Sequence, residues 1–244
     1  MKERLKYVLQ KILGLSTYLN WFARFKISTL HLDSKEKDFF LFKDLIQPER
    51  GIILDIGANL GIMSYHLSKT FPAQEIHAFE PIPINFKVLE KVKSRYDLKN
   101  LHLYELAVGE KAGKVQMILP RQGKVWMQGL SYVRHKDLPN GDDGREFEVK
   151  MVALDELYQD RKIGAIKLDV ENFEYFVLYG AQKILDRDRP LLYAELWENQ
   201  NREQCFELLG NFGYRTCVVE NGKLVAFDPS KHRQQNFIFE QETE

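Results

Sequence analysis

The chain of 244 residues is poor in cysteine, with only Cys205 and Cys217. Their spacing fits neither a zinc site nor the disulfide framework of a small secreted domain, so a reduced, cytoplasmic setting is the expectation. Charge of one sign is also lacking: 35 Lys and Arg stand against 35 Asp and Glu. That balance speaks against a nucleic-acid footprint and an acidic tail. Long apolar runs are missing too. The opening MKERLKYVLQKILGL is broken by Gln10 and Lys11 and has no small-residue cleavage pattern, so neither stable membrane insertion nor a signal peptide is expected. No repeat or low-complexity linker divides the chain. What is there is 44% apolar content at a mean hydropathy of −0.38, enough for one sizeable core.

Residues 1–47 read as a helical segment. Leu5, Val8, Leu9, Ile12 and Leu13 fall on one stripe, expected to dock on the rest of the protein. Residues 48–244 form the main unit. GIILDIGA reads as a buried strand, 60–70 as a helix, EIHAFEP as a second strand, 84–96 as a second helix and LHLYELAVG as a third strand. Between about 113 and 154 the rhythm breaks into extended segments around the turn residues PNGDDG, an inserted β excursion. It is expected to wall the acceptor, with His135, Trp126, Met127 and Tyr132 as candidates. Alternation then resumes with IGAIKLDVEN, a helix through Ile184, PLLYAELW, a helix at 202–212 and two closing strands. This is an α/β order with a mostly parallel sheet and helices on both faces, and ligands in such sheets sit beyond the carboxyl ends of the strands.

At the first such end stands LDIGANLG, residues 54–61. A dinucleotide turn needs three glycines so that backbone and helix N-terminus can close on a pyrophosphate. Here Gly57 and Gly61 bracket Ala58 and Asn59, the middle glycine is missing, and Asp55 precedes the turn. An acid there suits a cofactor without phosphate and with positive charge, S-adenosylmethionine, whose ammonium and sulfonium Asp55 is expected to face. The second strand ends in Glu80-Pro81, where an acid can accept the hydroxyls of a ribose.

The segments ILDIGANLG, IHAFEPIPINFKVLEKV, LYELAVGEKAGKVQM, VALDEL, IKLDVENFEYFVLYGAQKIL and RPLLYAEL together resemble the FkbM-family methyltransferases, from about Gly51 to Glu240. The resemblance implies a Rossmann-like class I methyltransferase fold and transfer of a methyl group from S-adenosylmethionine to a hydroxyl oxygen. It further implies Asp55, Gly57, Asn59 and Gly61 around the methionine part, Glu80 on the ribose, and Leu106 and Ala107 on the adenine side. Where the family has a glycine after the acid-Val-Glu run, this chain has Asn172 after Asp169-Val170-Glu171.

For the acceptor side, Lys167, Asp169 and, if the strand persists, Glu171 share one face. Charges inside a buried strand must either pair or face an open site. Asp169 is the expected general base, Lys167 its orienting partner, and Glu195 on the next strand end a second base. Asp169, Glu171 and Asn172 also have the chemistry of Mg²⁺ ligands, but no metal is assigned. The acceptor is expected to be a small-molecule or glycan hydroxyl, on a sugar, polyketide, lipid or related metabolite. Two rivals remain at this stage: a nicotinamide-dependent oxidoreductase, which would need the absent dinucleotide turn, and a non-catalytic binding protein of the same fold.

Overall fold

A computed structural model describes residues 2–134 and 144–241, with side chains from Lys6 onward; His135 and most of the PNGDDG turn lie outside it. Helix α1 (Lys2–Leu13) is separated from α2 (Leu15–Thr29) by Gly14 in a left-handed conformation, and α3 (Lys37–Leu45) follows two short 3₁₀ turns. The expected docking stripe holds on α1 only at Leu9, half-buried against the core: Val8, Ile12 and Leu13 are exposed, Ile12 at 74%, and the Leu5 side chain lies outside those described. Gln10, the one buried polar residue among the described side chains of that helix, exchanges two hydrogen bonds with the backbone of Trp126, both at 3.2 Å. Docking is done further on, where Leu19, Ala23, Phe39 and Phe42 are wholly buried against Ile53, Ala78 and Tyr193. Each large side chain so buried contributes about 1.5–3 kcal/mol.

From Ile52 the alternation follows the apolar runs: β1 (Ile52–Ile56), α4 (Ile62–Thr70), β2 (Ile76–Phe79), α5 (Pro83–Arg95) and β3 (Leu101–Tyr104). LHLYELAVG is not one strand. It leaves the sheet at Glu105 and Leu106, and β4 (Ala107–Val108) opens a second sheet with β5 (Gly113–Gln122), β6 (Val125–Trp126), β7 (Tyr132–Val133) and β8 (Gly144–Val152). After the single-turn α6 (Leu154–Leu157) come β9 (Ile163–Leu168), α7 (Glu174–Tyr179), α8 (Gln182–Asp188), β10 (Leu191–Glu195), α9 (Gln200–Asn211), β11 (Tyr214–Glu220), β12 (Lys223–Ala226) and β13 (Asn236–Gln241). The helix expected through Ile184 is broken at Gly180, where a Cβ would lie 2.2 Å from the carbonyl oxygen of Gly109. That close approach of two backbones leaves room for glycine alone.

The main sheet runs β12-β11-β13-β10-β9-β1-β2-β3, parallel from β10 to β3 and antiparallel beyond β10. Strand order reverses between β1 and β9, and the crevice for a ligand opens there, past the carboxyl ends. The N-terminal helices, α4 and α5 cover one face; α7 to α9 and the second sheet pack on the other. Among the described residues no helix is long and apolar enough to cross a membrane.

Candidate active site

The turn after β1 is held by its own backbone. Gly57 and Ala58 both donate their N–H groups to the carbonyl of Phe79, and Gly57 has φ +77°. A side chain at Gly57 would place its Cβ 1.8 Å from the carbonyl oxygen of Asp169, so the glycine lets β1 and β9 end against each other. Asn59, also left-handed at φ +51°, turns its N–H onto Glu80 Oε2 at 2.8 Å. Glu80 Oε1 accepts from the N–H of Ile82 at 2.9 Å and from Asn85 Nδ2 at 3.3 Å. Burial pushes the Glu80 carboxyl up to about 7 despite these donors.

Gly57, Asn59, Glu80, Pro81, Leu106 and Ala107 all line one cleft, closed by Asp169, Glu171 and Phe173 on one side and by Met117, Gln128, Ser131 and Val133 on the other. Three buried amide oxygens around it have no hydrogen-bond partner: Asn59 Oδ1, Asn85 Oδ1 and Gln128 Oε1. Buried acceptors left open in this way point to a ligand that brings donors. The β excursion therefore supplies one wall of this cleft. Trp126, Met127 and Tyr132, expected on the acceptor, line neither cleft described here; Trp126 and Met127 meet α1 instead.

Asp55 departs from expectation. It is fully buried and does not line the cleft. Its register partner on β9 is Lys167, and the two side chains meet at 3.2 Å, while Ser64 Oγ donates to the other carboxylate oxygen at 2.5 Å. Lys167 also donates to the carbonyl of Gly57 at 2.9 Å and lies 3.6 Å from Asp169. Burial alone would lower the Lys167 ammonium, but Asp55 and Asp169 outweigh it and hold it up to about 12. Asp55 and Lys167 thus form a buried pair beneath the turn. Ala58 and Gly61, likewise expected at the cofactor, shape the turn from behind it, Gly61 N–H donating to the Ala58 carbonyl at 2.8 Å.

The strand expected to carry Glu171 ends at Leu168. Glu171 and Asn172 both take left-handed conformations, φ +52° and +68°, so Glu171 reaches the cleft from a turn and not from a shared strand face. Burial, then Asp169, Glu195 and Glu174, raise its carboxyl to about 8. This turn rests on Glu174, a residue sequence reasoning missed: buried, it accepts from the N–H groups of Val170 and Asn172 and from Asn201 Nδ2. Its one signal was an acid in the first turn of a helix directly after a strand end.

Asp169 lies at the mouth, its side chain 35% exposed. It is also the single residue shared with a second cleft, lined by Lys35, Glu36, Asp38, Met63, Tyr193, Glu195 and Gln234 to Asn236. Burial first and Asp169 second raise the Glu195 carboxyl to about 7. Among the described residues, the one His, Cys, Asp and Glu group with ligand atoms within 4.8 Å of one another is Glu75, His77 and His102, at the amino ends of β2 and β3, where Arg161 already donates to Glu75 at 2.8 Å. Asp169 and Glu171 belong to no such group.

Residues 55–234 match the family model described as the Methyltransferase FkbM domain. The chain is 28% identical over 204 residues to the 31-O-demethyl-FK506 methyltransferase FkbM of Streptomyces tacrolimicus, covering 72% of this chain and 76% of that protein. It is 24% identical over 216 residues to the methyltransferase sdnD of Sordaria araneosa, covering 74% and 83%. Among solved structures, the methyltransferase FkbM of Methylobacillus flagellatus KT superposes with a TM-score of 0.53 at 15% identity, over 78% of this chain and 43% of that one, a likeness of fold. The order of strands, the turn at Gly57 and the acid at Glu80 are accounted for together, because the chain belongs to the FkbM family of methyltransferases.

Proposed function

We propose that the protein transfers a methyl group from S-adenosylmethionine to a hydroxyl oxygen of a small-molecule or glycan acceptor. The observation that carries this reading is the meeting of two clefts at Asp169, one with donors-wanted amide oxygens and an acid on a strand end, the other ringed by carboxylates. The residues present fit the cofactor. Glu80, whose Oε2 accepts only the Asn59 N–H and keeps lone pairs free, would hold the ribose hydroxyls. The Asn59, Asn85 and Gln128 oxygens would accept from its remaining donors, and Leu106, Ala107 and Pro81 give the apolar and edge surface of the cleft. When bound, S-adenosylmethionine supplies a methyl carbon on a positive sulfur, open to in-line displacement.

The chain's own task is to place an acceptor oxygen in line and to take its proton. Asp169, at the border of both clefts, is the proposed general base. Lys167 orients it from 3.6 Å and ties it to the Gly57 turn, so base and cofactor turn move as one piece. Glu195, held near 7, is the alternative base, and Glu171 shapes the mouth between them. Asp55 acts through Lys167 and does not touch the cofactor.

The test is calorimetric titration with S-adenosylmethionine and with NAD, followed by mass spectrometry of a cell extract incubated with protein and labelled S-adenosylmethionine. Saturable binding of S-adenosylmethionine, weaker or absent binding of NAD and a labelled product are expected. Tighter binding of NAD overturns the assignment.

A further inference from the structure

The second cleft differs from the first in what it asks of a ligand. Its walls come from the N-terminal segment (Lys35, Glu36, Asp38), from the end of β10 (Tyr193, Glu195), from the approach to β13 (Gln234 to Asn236) and from Asp169. Four carboxylates face it. The cations within reach are engaged or exposed: Lys167 is committed to Asp55, Gly57 and Asp169, Lys26, which acts on Glu36, is paired with Asp33 at 2.7 Å, and Lys35 stands exposed at the rim. Glu36, Asp38 and Glu195 are each half-buried, so water screens them only in part.

A second observation is independent of the acids. Tyr193 is 3% exposed and lines this cleft, with its ring packed on Phe42 at 5.4 Å between centroids and on Phe39 at 6.3 Å. Its hydroxyl makes no hydrogen bond to any described residue and is not among the fully buried atoms, so the exposure this side chain keeps leaves the hydroxyl open to a ligand. Glu36, Asp38, Asp169 and Glu195 are the charges that bear on it. An open hydroxyl at the floor and carboxylates around the wall together present acceptor atoms to whatever enters.

We propose that the methyl acceptor carries a protonated amine beside its hydroxyl, and that Glu36, Asp38, Glu195 and the Tyr193 hydroxyl form the subsite that takes the ammonium. This deepens the proposed function and rests on it. An ammonium brings three donors and a positive charge, which match carboxylates and an open hydroxyl; a neutral hydroxyl brings one donor and leaves the charges unmatched. A small metal ion is disfavoured by spacing, since these acids do not converge within ligand distance of one another. An amine on a flexible or ring-borne acceptor has no such requirement. Burial raises the carboxyls of Glu36, Asp38 and Glu195 and outweighs the relief from Lys26 and Lys167 at Glu36, from Asn236 at Asp38 and from Lys167 at Glu195, with neighbouring acids adding to the rise at Glu36 and Glu195. The N-terminal segment then has a reason to be docked: it supplies two of the four carboxylates.

The probes are neamine, an amino sugar with several hydroxyls, and its fully N-acetylated form, which keeps those hydroxyls and loses the charges. Each is titrated calorimetrically into full-length protein saturated with S-adenosylhomocysteine, wild type and Glu36→Gln/Asp38→Asn. Neamine is expected to bind wild type at least tenfold more tightly than its acetylated form, and the double variant is expected to lose that preference while holding S-adenosylhomocysteine within twofold of wild type. Equal binding of the two probes, binding of neither, or a preference that survives in the variant overturns the cationic subsite. Failure of wild type to bind S-adenosylhomocysteine at all is a different result, and it removes the methyltransferase reading beneath it.

Discussion

The two clefts that meet at Asp169 are built in opposite ways. The cleft proposed for the cofactor is made of main chain at strand ends: glycine at Gly57, a left-handed Asn59, and an acid whose oxygens accept from three protein donors. Its acid is partly satisfied by the protein, and the acceptors left with no partner are neutral amide oxygens. The cleft proposed for the acceptor is made of side chains from segments far apart in sequence, and what is left open there is charge. A site fixed by backbone tolerates little variation and suits a ligand that never changes. A site fixed by side chains on a docked N-terminal segment and a chain end can be rebuilt without disturbing the sheet.

The sharpest way to break the division is at the border. Asp169→Asn keeps shape and reach and removes the proton acceptor, so turnover should fall by about 10²- to 10⁴-fold while the affinity for S-adenosylmethionine, by calorimetry, stays near wild type. Near wild-type turnover in a folded variant moves the role to Glu195. The next effect lies beneath both clefts. Lys167→Met leaves Asp55 buried and unpaired and should destabilise the protein by about 3–5 kcal/mol in denaturant melts. Adding Asp55→Asn should return much of that loss, as expected when a pair is removed together. If the double variant is no better than the single, the pair is not the support proposed here.

Smaller and confined to one side, Glu80→Gln should weaken S-adenosylmethionine by about 1.5–3 kcal/mol, the range for hydrogen bonds to a charged group. It should leave the neamine preference unchanged. The mildest effect is a pH trend shared by both sides. Burial raises Glu80, Glu174 and Glu195 from 4.5 to about 7, and Glu171 to about 8. The native state keeps these protons where the unfolded chain has released them, so their contribution is full below about pH 4.5 and is lost as pH rises through 7 to 8. Melting temperature of the ligand-free protein should therefore drop from about pH 5 to about pH 9. A flat or rising profile contradicts the burial of these acids.

The division also explains what could be read from sequence. Apolar runs and helical periodicity report which residues are buried, and they gave the strand and helix order from β1 to β3 and again from β9, apart from the break at Gly180 and the third closing strand, β12; the glycines of LDIGANLG and the acid of FEP marked the backbone-built cleft. Burial against what is another matter. Asp55 was read as facing a cofactor, because its partner Lys167 is on a strand adjacent in space and remote in sequence. The apolar stripe of α1 was read as a docking face, yet most docking side chains are those of α2 and α3, and α1 contributes Leu9 and the hydrogen bonds of Gln10. Glu36 and Asp38 carried no motif at all. They matter only because the fold brings the N-terminal segment over the end of β10. The left-handed turn at Glu171 and Asn172 was hidden for a related reason, since its support, Glu174 with Asn201, joins two helices.

Hydrogen exchange of the full-length protein with and without S-adenosylmethionine tests the division of labour most directly. Slower exchange is expected at residues 57–61, 80–85 and 128–133, which border or support the cofactor-side cleft, with little change at 34–38 and 234–236. Protection confined to 34–38 and 234–236, or no protection anywhere, would contradict the placement of the cofactor.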